Sequence, residues 1–326
     1  MQYTTLGRSG LVVSRLCLGC MSYGDPGWRP WVLGETEARP FFKHAVEHGI
    51  NFFDTADMYS RGVSEEVTGR WLREFARRDE VVIATKVFFP MADAPNRRGL
   101  SRKHITQSCE ASLRRLGVEA IDLYQIHRFD PETPIDETLR ALDDLVRAGK
   151  VRYLGASSGY AWQLARALYR ADAGGLARFV SMQNHYNLLY REEEREVIPL
   201  CEAEGLGLVP WSPLARGLLA RAQTLAEDAS TPRAEEDAIT RRLYGHPADA
   251  DVLAALRRVA EARGAPPAQV ALAWLLSKPA VAAPIVGITR LRHFDDALAA
   301  LDLTLTEDEV EALEAPYAPH AIQGHA

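Results

Sequence analysis

Gly49-Ile50-Asn51-Phe52-Phe53-Asp54-Thr55-Ala56-Asp57-Met58-Tyr59 is the stretch on which the reading of this chain turns. Ile50, Phe52 and Phe53 predict a short buried strand, and Asp54 is the first ionisable group where that strand runs out. A carboxylate there, with a phenol on the loop beyond, is poorly placed for packing and well placed for chemistry. Two plainer readings stand beside this one: Asp54 as the cap of the next helix, and Tyr59 as a half-buried aromatic.

Outward from this stretch, strands and helices alternate. Tyr3 to Leu6 and Leu11 to Val13 flank Arg8-Ser9-Gly10, predicting a hairpin in which Gly10 takes the positive φ. Arg15 to Leu18 reads as a strand, and Thr36 as the cap of a helix that Gly49 stops. Helices are predicted over 64–76, 101–116, 135–148, 161–169, 191–203, 251–261 and 267–277, with strands over 81–86, 121–126, 151–156, 179–183, 206–210 and 281–286. The strands are near-continuous apolar runs, as in parallel strands buried on both faces. Eight such units in 326 residues predict an α/β fold, a (β/α)8 TIM barrel with an N-terminal β-hairpin plug and a C-terminal extra helix. A doubly wound sheet is the alternative, but the G-x-G-x-x-G turn expected after its first strand is missing. No linker divides the chain, so residues 1–326 read as one domain, with 221–249 as a mobile loop or lid.

Composition narrows the function classes. Apolar residues make up 47% and charged residues 25% of the chain, and the net charge is −6 with both signs interspersed. These values describe an ordinary globular protein with no basic face for nucleic acid and no polybasic membrane patch. No apolar run approaches the roughly 20 residues of a spanning helix, so a cytoplasmic location is expected. Cys17 and Cys20 form a C-x-x-C without a second ligand pair at metal spacing. In a strand their side chains would face opposite ways, so a structural role is expected and no metal is.

Strand ends carry the chemistry. Gly19, Asp54, Lys86, His127, Ser157 with Ser158, Gln183 with Asn184, Trp211 with Ser212, and Gly287 with Thr289 fall at the same end of their strands. In a barrel these ends share one mouth, where active sites lie. A phenol has an ordinary pKa near ~10, and an ammonium at Lys86 would lower it, with Asp54 holding that ammonium. Neutral His127 could orient a carbonyl oxygen beside the phenol. Such a set protonates a carbonyl but contains no paired nucleophile, so the electron pair must come from outside, with a nicotinamide as the expected source.

The chain resembles the aldo-keto reductase family. Gly49 to Tyr59 is similar to its G-x-N-x-x-D-T-A-x-x-Y signature, Ala84-Thr85-Lys86 carries its lysine, and Gln125-Ile126-His127 carries its histidine. Gly155-Ala156-Ser157-Ser158 and Trp211-Ser212-Pro213-Leu214-Ala215-Arg216-Gly217 look like the subgroup that includes YajO-like reductases and the potassium-channel β subunits. The opening Met1 to Cys20, Arg191 to Glu196, and Pro316 to His320 resemble the YajO-like branch within it.

This resemblance implies NADPH-dependent reduction of an aldehyde or ketone, with NADP+ as the oxidised cofactor. Tyr59 would be the general acid, tuned by Lys86 and Asp54, with His127 orienting the substrate. Ser157, Ser158 and Gln183 would hold the carboxamide, and Trp211 would stack on the nicotinamide ring. Ser212, Pro213, Leu214, Ala215 and Gly217 would line the pyrophosphate, with Gly19, Cys20 and Met21 also at the cofactor. Gly287, Thr289, Arg290, His293 and Asp296 would meet the adenosine end, where a guanidinium suits a 2′-phosphate. Ala297 departs from the family's pattern, which places an Asn there.

For the substrate, Tyr23, Trp28, Trp31, Phe88, Phe89, Phe129 and Tyr186 suggest a pocket with aromatic walls. Arg128 could meet a substrate anion or pair with Asp130, and Glu192 to Glu196 read as a solvated helical face paired with Arg191 and Arg195. Two other functions remain open: a redox-sensing subunit that holds dinucleotide and turns over slowly, and a non-redox barrel enzyme for sugar phosphates. A small-molecule carbonyl substrate is the expected partner, with self-association possible in principle.

Overall fold

The computed structural model describes residues 1–225 and 238–325. The chain opens with the antiparallel pair β1 (Tyr3–Thr5) and β2 (Val12–Ser14). Its positive φ falls on Gly7, at +60°, and not on Gly10. A Cβ on Gly7 would lie 2.4 Å from the Gly205 carbonyl oxygen, so glycine is what lets the hairpin seat closely.

Eight parallel strands follow: β3 (Cys17–Gly19), β4 (Phe52–Asp54), β5 (Val82–Val87), β6 (Ile121–Ile126), β7 (Val151–Ser157), β8 (Phe179–Gln183), β9 (Gly207–Leu208) and β10 (Ile285–Val286). Their order is β10-β3-β4-β5-β6-β7-β8-β9. The two outer strands meet through a Leu208–Val281 bridge and an Ile285 N–H donated to the Pro210 carbonyl at 2.9 Å. The strands thus curl into the expected (β/α)8 barrel.

Neighbouring residues on a strand face opposite sides, and the packing separates accordingly. Cys17, Phe52, Val82, Ala84, Leu123, Val209 and Ile285 pack inside the ring with Leu6 and Val13 of the hairpin, which plugs it. Leu18, Phe53, Ile83, Tyr124, Leu154 and Met182 pack outward with Phe42, Ile105, Leu142 and Leu164 of the helices. Cys17 and Cys20 fall in different clusters, and all four cysteines are buried and unpaired.

The main early helices are α1 (Glu35–Glu47), α2 (Val63–Phe75), α3 (Arg102–Leu116), α4 (Ile135–Arg147), α5 (Ala161–Gly174) and α6 (Val197–Glu204). Ser101 caps α3 by accepting the His104 N–H at 3.3 Å. The cap position of α1 belongs to Gly34, so Thr36 lies inside the helix. Helices Leu291–Ala299 and Glu307–Glu314 end the chain, the latter with a capping box between Thr306 and Glu309. No helix among the described residues is long and apolar enough to cross a membrane.

Two expectations change over 191–203. The helix expected over 191–203 divides into a 3-10 turn, Glu192–Glu194, and α6. Its glutamates are not a solvated face: Glu192 and Glu193 are buried. Glu192 accepts the Tyr317 hydroxyl at 2.9 Å and the His320 N–H at 2.7 Å, while Glu193 meets His325 at 2.9 Å. They anchor the C-terminal segment. Of the lid expected over 221–249, residues 226–237 lie outside the described residues; Leu218–Arg221 and Ala238–Leu243 are helical on either side.

Candidate active site

Asp54 ends β4, Lys86 lies near the end of β5, and His127 directly follows β6. Parallel pairing brings these ends side by side. Lys86, fully buried, donates from Nζ to Asp54 Oδ1 at 2.5 Å and to the Thr55 carbonyl at 2.8 Å, and lies 3.4 Å from the Tyr59 hydroxyl. The other Asp54 oxygen accepts the side-chain amides of Gln125 at 3.0 Å and Gln183 at 2.9 Å. Asp54 is therefore no helix cap; its carboxylate is spent on one ammonium and two amides. The His127 ring stands edge-on to that of Tyr59, with centroids 5.8 Å apart.

Burial raises the Tyr59 phenol above its ordinary pKa; Lys86 pulls it down and Asp54 pushes it up, and the net direction is upward. This reverses the lowering expected from Lys86. The hydroxyl is thus protonated at neutral pH, the form a proton donor needs. Burial alone would depress the Lys86 ammonium, but Asp54 and Tyr59 outweigh it and the net shift is upward. His127 is held well below its ordinary value by burial, then by Lys86 and Arg128, so its ring is neutral.

Backbone strain gathers near these groups. Ser60 and Arg61 beside Tyr59, Ser158, and Ser212, Ala215 and Arg216 all have positive φ. Each such residue costs of order 1–3 kcal/mol and persists where the surroundings fix it. Ser158 Oγ accepts from Trp211 Nε1 at 3.0 Å, and the Asn187 amide donates to the Ser212 carbonyl at 2.9 Å. Trp211 stacks on His185 at 4.3 Å, and His185 on Tyr190 at 4.3 Å.

Beside them, the Ser157 hydroxyl and both polar atoms of the Asn184 amide are buried without a hydrogen-bond partner. Buried polar atoms are rarely left unpaired. A hydroxyl and an amide could receive a carboxamide, which brings both donors and an acceptor, so these residues fit a nicotinamide. Gln183 turns its amide nitrogen to Asp54 instead, and Cys20 is taken up in packing, its carbonyl accepting the Ser64 hydroxyl at 2.8 Å. Gly19 lies under Ile285, where a Cβ would come within 2.7 Å of a methyl.

At the adenosine-end positions, Gly287, Arg290 and His293 are exposed. Arg290 occupies the cap position of Leu291–Ala299, without a side-chain cap bond. Asp296 is engaged within the protein, accepting the Gln269 amide at 3.1 Å.

The aromatic wall is smaller than expected. Trp28 lies 6.4 Å from both Tyr59 and Trp31, and Phe89 lies 4.8 Å from His127 and 5.2 Å from Phe88, between ring centroids. Tyr23 is buried, donating to the Ile288 carbonyl at 2.7 Å and packing on Phe41 and Phe42. Phe129 is buried. Tyr186 is also buried, its hydroxyl donating to Glu194 at 2.6 Å. Arg128 makes no ion pair with Asp130; it donates to the His127 carbonyl at 2.6 Å and leaves Nε buried and unpartnered. Sequence reasoning passes over Gln125 as a functional residue. An amide between the apolar neighbours Tyr124 and Ile126 was the available signal.

The family model for the aldo/keto reductase family matches residues 15–318. A versiconal hemiacetal acetate reductase of Aspergillus parasiticus is 45% identical over 99% of this chain and 98% of its own length. An aldo-keto reductase of Fusarium vanettenii is 43% identical over 100% and 94%. A Saccharomyces cerevisiae protein provisionally named as an aryl-alcohol dehydrogenase is 41% identical over 96% of each chain.

Proposed function

We propose, from the premise that this chain belongs to the aldo/keto reductase family, that it reduces an aldehyde or ketone to an alcohol with NADPH as the electron donor. When bound, the dinucleotide supplies a hydride to the carbonyl carbon. Tyr59 donates its hydroxyl proton to the carbonyl oxygen as charge develops there. The O–H bond of the phenol breaks, the O–H bond of the alcohol forms, and the phenolate left behind is stabilised by the Lys86 ammonium. Asp54 offsets the cost of burying that ammonium, with Gln125 and Gln183 steadying the carboxylate. Neutral His127 orients the carbonyl from the side of the phenol.

The observation that carries this reading is the Tyr59 hydroxyl 3.4 Å from Lys86 Nζ, beside an imidazole that burial keeps neutral. NADPH rather than NADH is supported by the exposed Arg290 at a helix start, where a guanidinium and backbone N–H groups favour a phosphate. Aromatic aldehydes are the proposed substrates, supported by Trp28 and Phe89 beside Tyr59 and His127 and by the name of the yeast relative. A cytoplasmic location is in keeping with four unpaired cysteines. The test is NADPH oxidation with 4-nitrobenzaldehyde by the wild type and by Tyr59→Phe. The variant should lose about 10²–10⁴-fold in turnover while still quenching NADPH fluorescence. Equal turnover by the two proteins removes the proton-donor role.

A further inference from the structure

His246, Asp249 and His320 converge from two segments remote in sequence. Each offers one ligand atom, and these atoms lie within 4.8 Å of one another. We propose that they form a binding site for a divalent transition-metal ion of the zinc type, one that joins the C-terminal segment to the turn before helix Asp249–Arg263. Linear spacing conceals this set, because four helices, Asp249–Arg263, Pro267–Leu276, Leu291–Ala299 and Glu307–Glu314, separate His320 from His246 in the chain.

The chemistry of the donors favours the assignment. Two imidazoles and one carboxylate are a ligand set of zinc, leaving a fourth position for water, and they also suit cobalt, nickel or copper. Asp249 Oδ2 accepts the backbone N–H groups of Gly245 at 2.8 Å and His246 at 3.0 Å, which fixes the carboxylate in place. Its Oδ1 faces His320 Nε2 at 3.9 Å, beyond hydrogen-bond reach. The His246 and His320 rings lie 4.3 Å apart without a hydrogen bond between them. Zinc bonds of about 2.0–2.1 Å require the three atoms to close together by rotation of side chains. Turning the His246 ring would put at risk the weak bond that its Nδ1 accepts from the Ala248 N–H, at 3.3 Å.

Outer contacts already hold the segment that brings His320. Glu192 accepts the His320 N–H, and Tyr317 stacks on the His320 ring at 5.2 Å. Such supporting contacts position ligands before the ion arrives. The same segment continues to Gly324, where a Cβ would lie 3.1 Å from the Trp211 ring. Ion binding would therefore tie down the part of the chain that covers Trp211.

Titration of chelator-treated protein with Co²⁺ tests the site, read by visible d–d absorption and by competition with Zn²⁺. Wild-type protein should bind one ion per chain, with a rise in Tm on adding Zn²⁺. His320→Ala and His246→Ala should each weaken binding at least tenfold, while their circular dichroism and NADPH binding report that they are folded. His44 and His48, whose rings lie 4.0 Å apart at the C-terminal end of α1, form a second imidazole pair, and His44→Gln should leave binding unchanged. Absence of saturable binding, or its loss in His44→Gln rather than in His320→Ala, overturns the proposal.

Discussion

Lys86 and Asp54 stand on adjacent parallel strands with Nζ 2.5 Å from Oδ1, and their side chains are 0% and 3% exposed. Such a pair is worth most when compared with one partner alone, because removing one leaves the other buried and uncompensated. Lys86→Met is expected to destabilise the fold by about 3–5 kcal/mol. Lys86→Met/Asp54→Leu should recover most of that loss. Urea unfolding of the two variants checks this, and equal destabilisation would show that the ion pair is not the source.

The proposed preference for NADPH rests on the exposed Arg290. A charge-assisted hydrogen bond is worth roughly 1.5–3 kcal/mol, so Arg290→Ala should weaken NADPH binding by about ten- to a hundredfold and leave NADH affinity nearly unchanged. Fluorescence titration with both dinucleotides measures the difference. A parallel loss for both would assign Arg290 a structural part.

Acid sensitivity follows from two buried imidazoles. Burial holds His127 and His185 well below their ordinary values. Below about pH 6.5 the unfolded chain binds protons that the folded chain refuses. Stability therefore falls as pH drops through that window, toward the depressed folded values, and is insensitive to these groups above it. His127→Leu should lose less stability than the wild type between pH 7 and pH 5, by up to about 1.4 kcal/mol per pH unit. Denaturant midpoints at the two pH values decide the matter.

Trp28 approaches the Tyr59 ring at 6.4 Å. Trp28→Ala should raise KM for 4-nitrobenzaldehyde about two- to tenfold, since an aromatic pair is worth ~0.5–1.5 kcal/mol beyond its burial, and leave KM for butanal nearly unchanged. An equal rise for both aldehydes would exclude a specific aromatic contact.

The barrel was legible because its signals are local. β6 and β8 begin and end where the apolar runs Ile121–Ile126 and Phe179–Gln183 do. The placement of Asp54, Lys86 and His127 at one rim followed from that periodicity. What escaped depends on contacts distant in sequence. Glu192 and Glu193 read as solvated charges, since nothing near them announces that Tyr317, His320 and His325 fold back to meet them. Tyr23 read as a pocket wall because a loop rich in glycine, proline and tryptophan gives no sign of the Ile288 carbonyl that takes its hydroxyl. The upward shift of Tyr59 was missed for a related reason: spacing suggests a neighbouring cation but does not measure loss of water.

Leu6 and Val13 plug the ring from the side of the hairpin. In the proposed reaction, a proton surrendered by Tyr59 would be replaced from the strand-end rim that also admits the carbonyl compound. While the alcohol remained there, water would not reload the hydroxyl. Recharging the acid and emptying the pocket would then be one event, and the pace of departure would set when the next cycle starts.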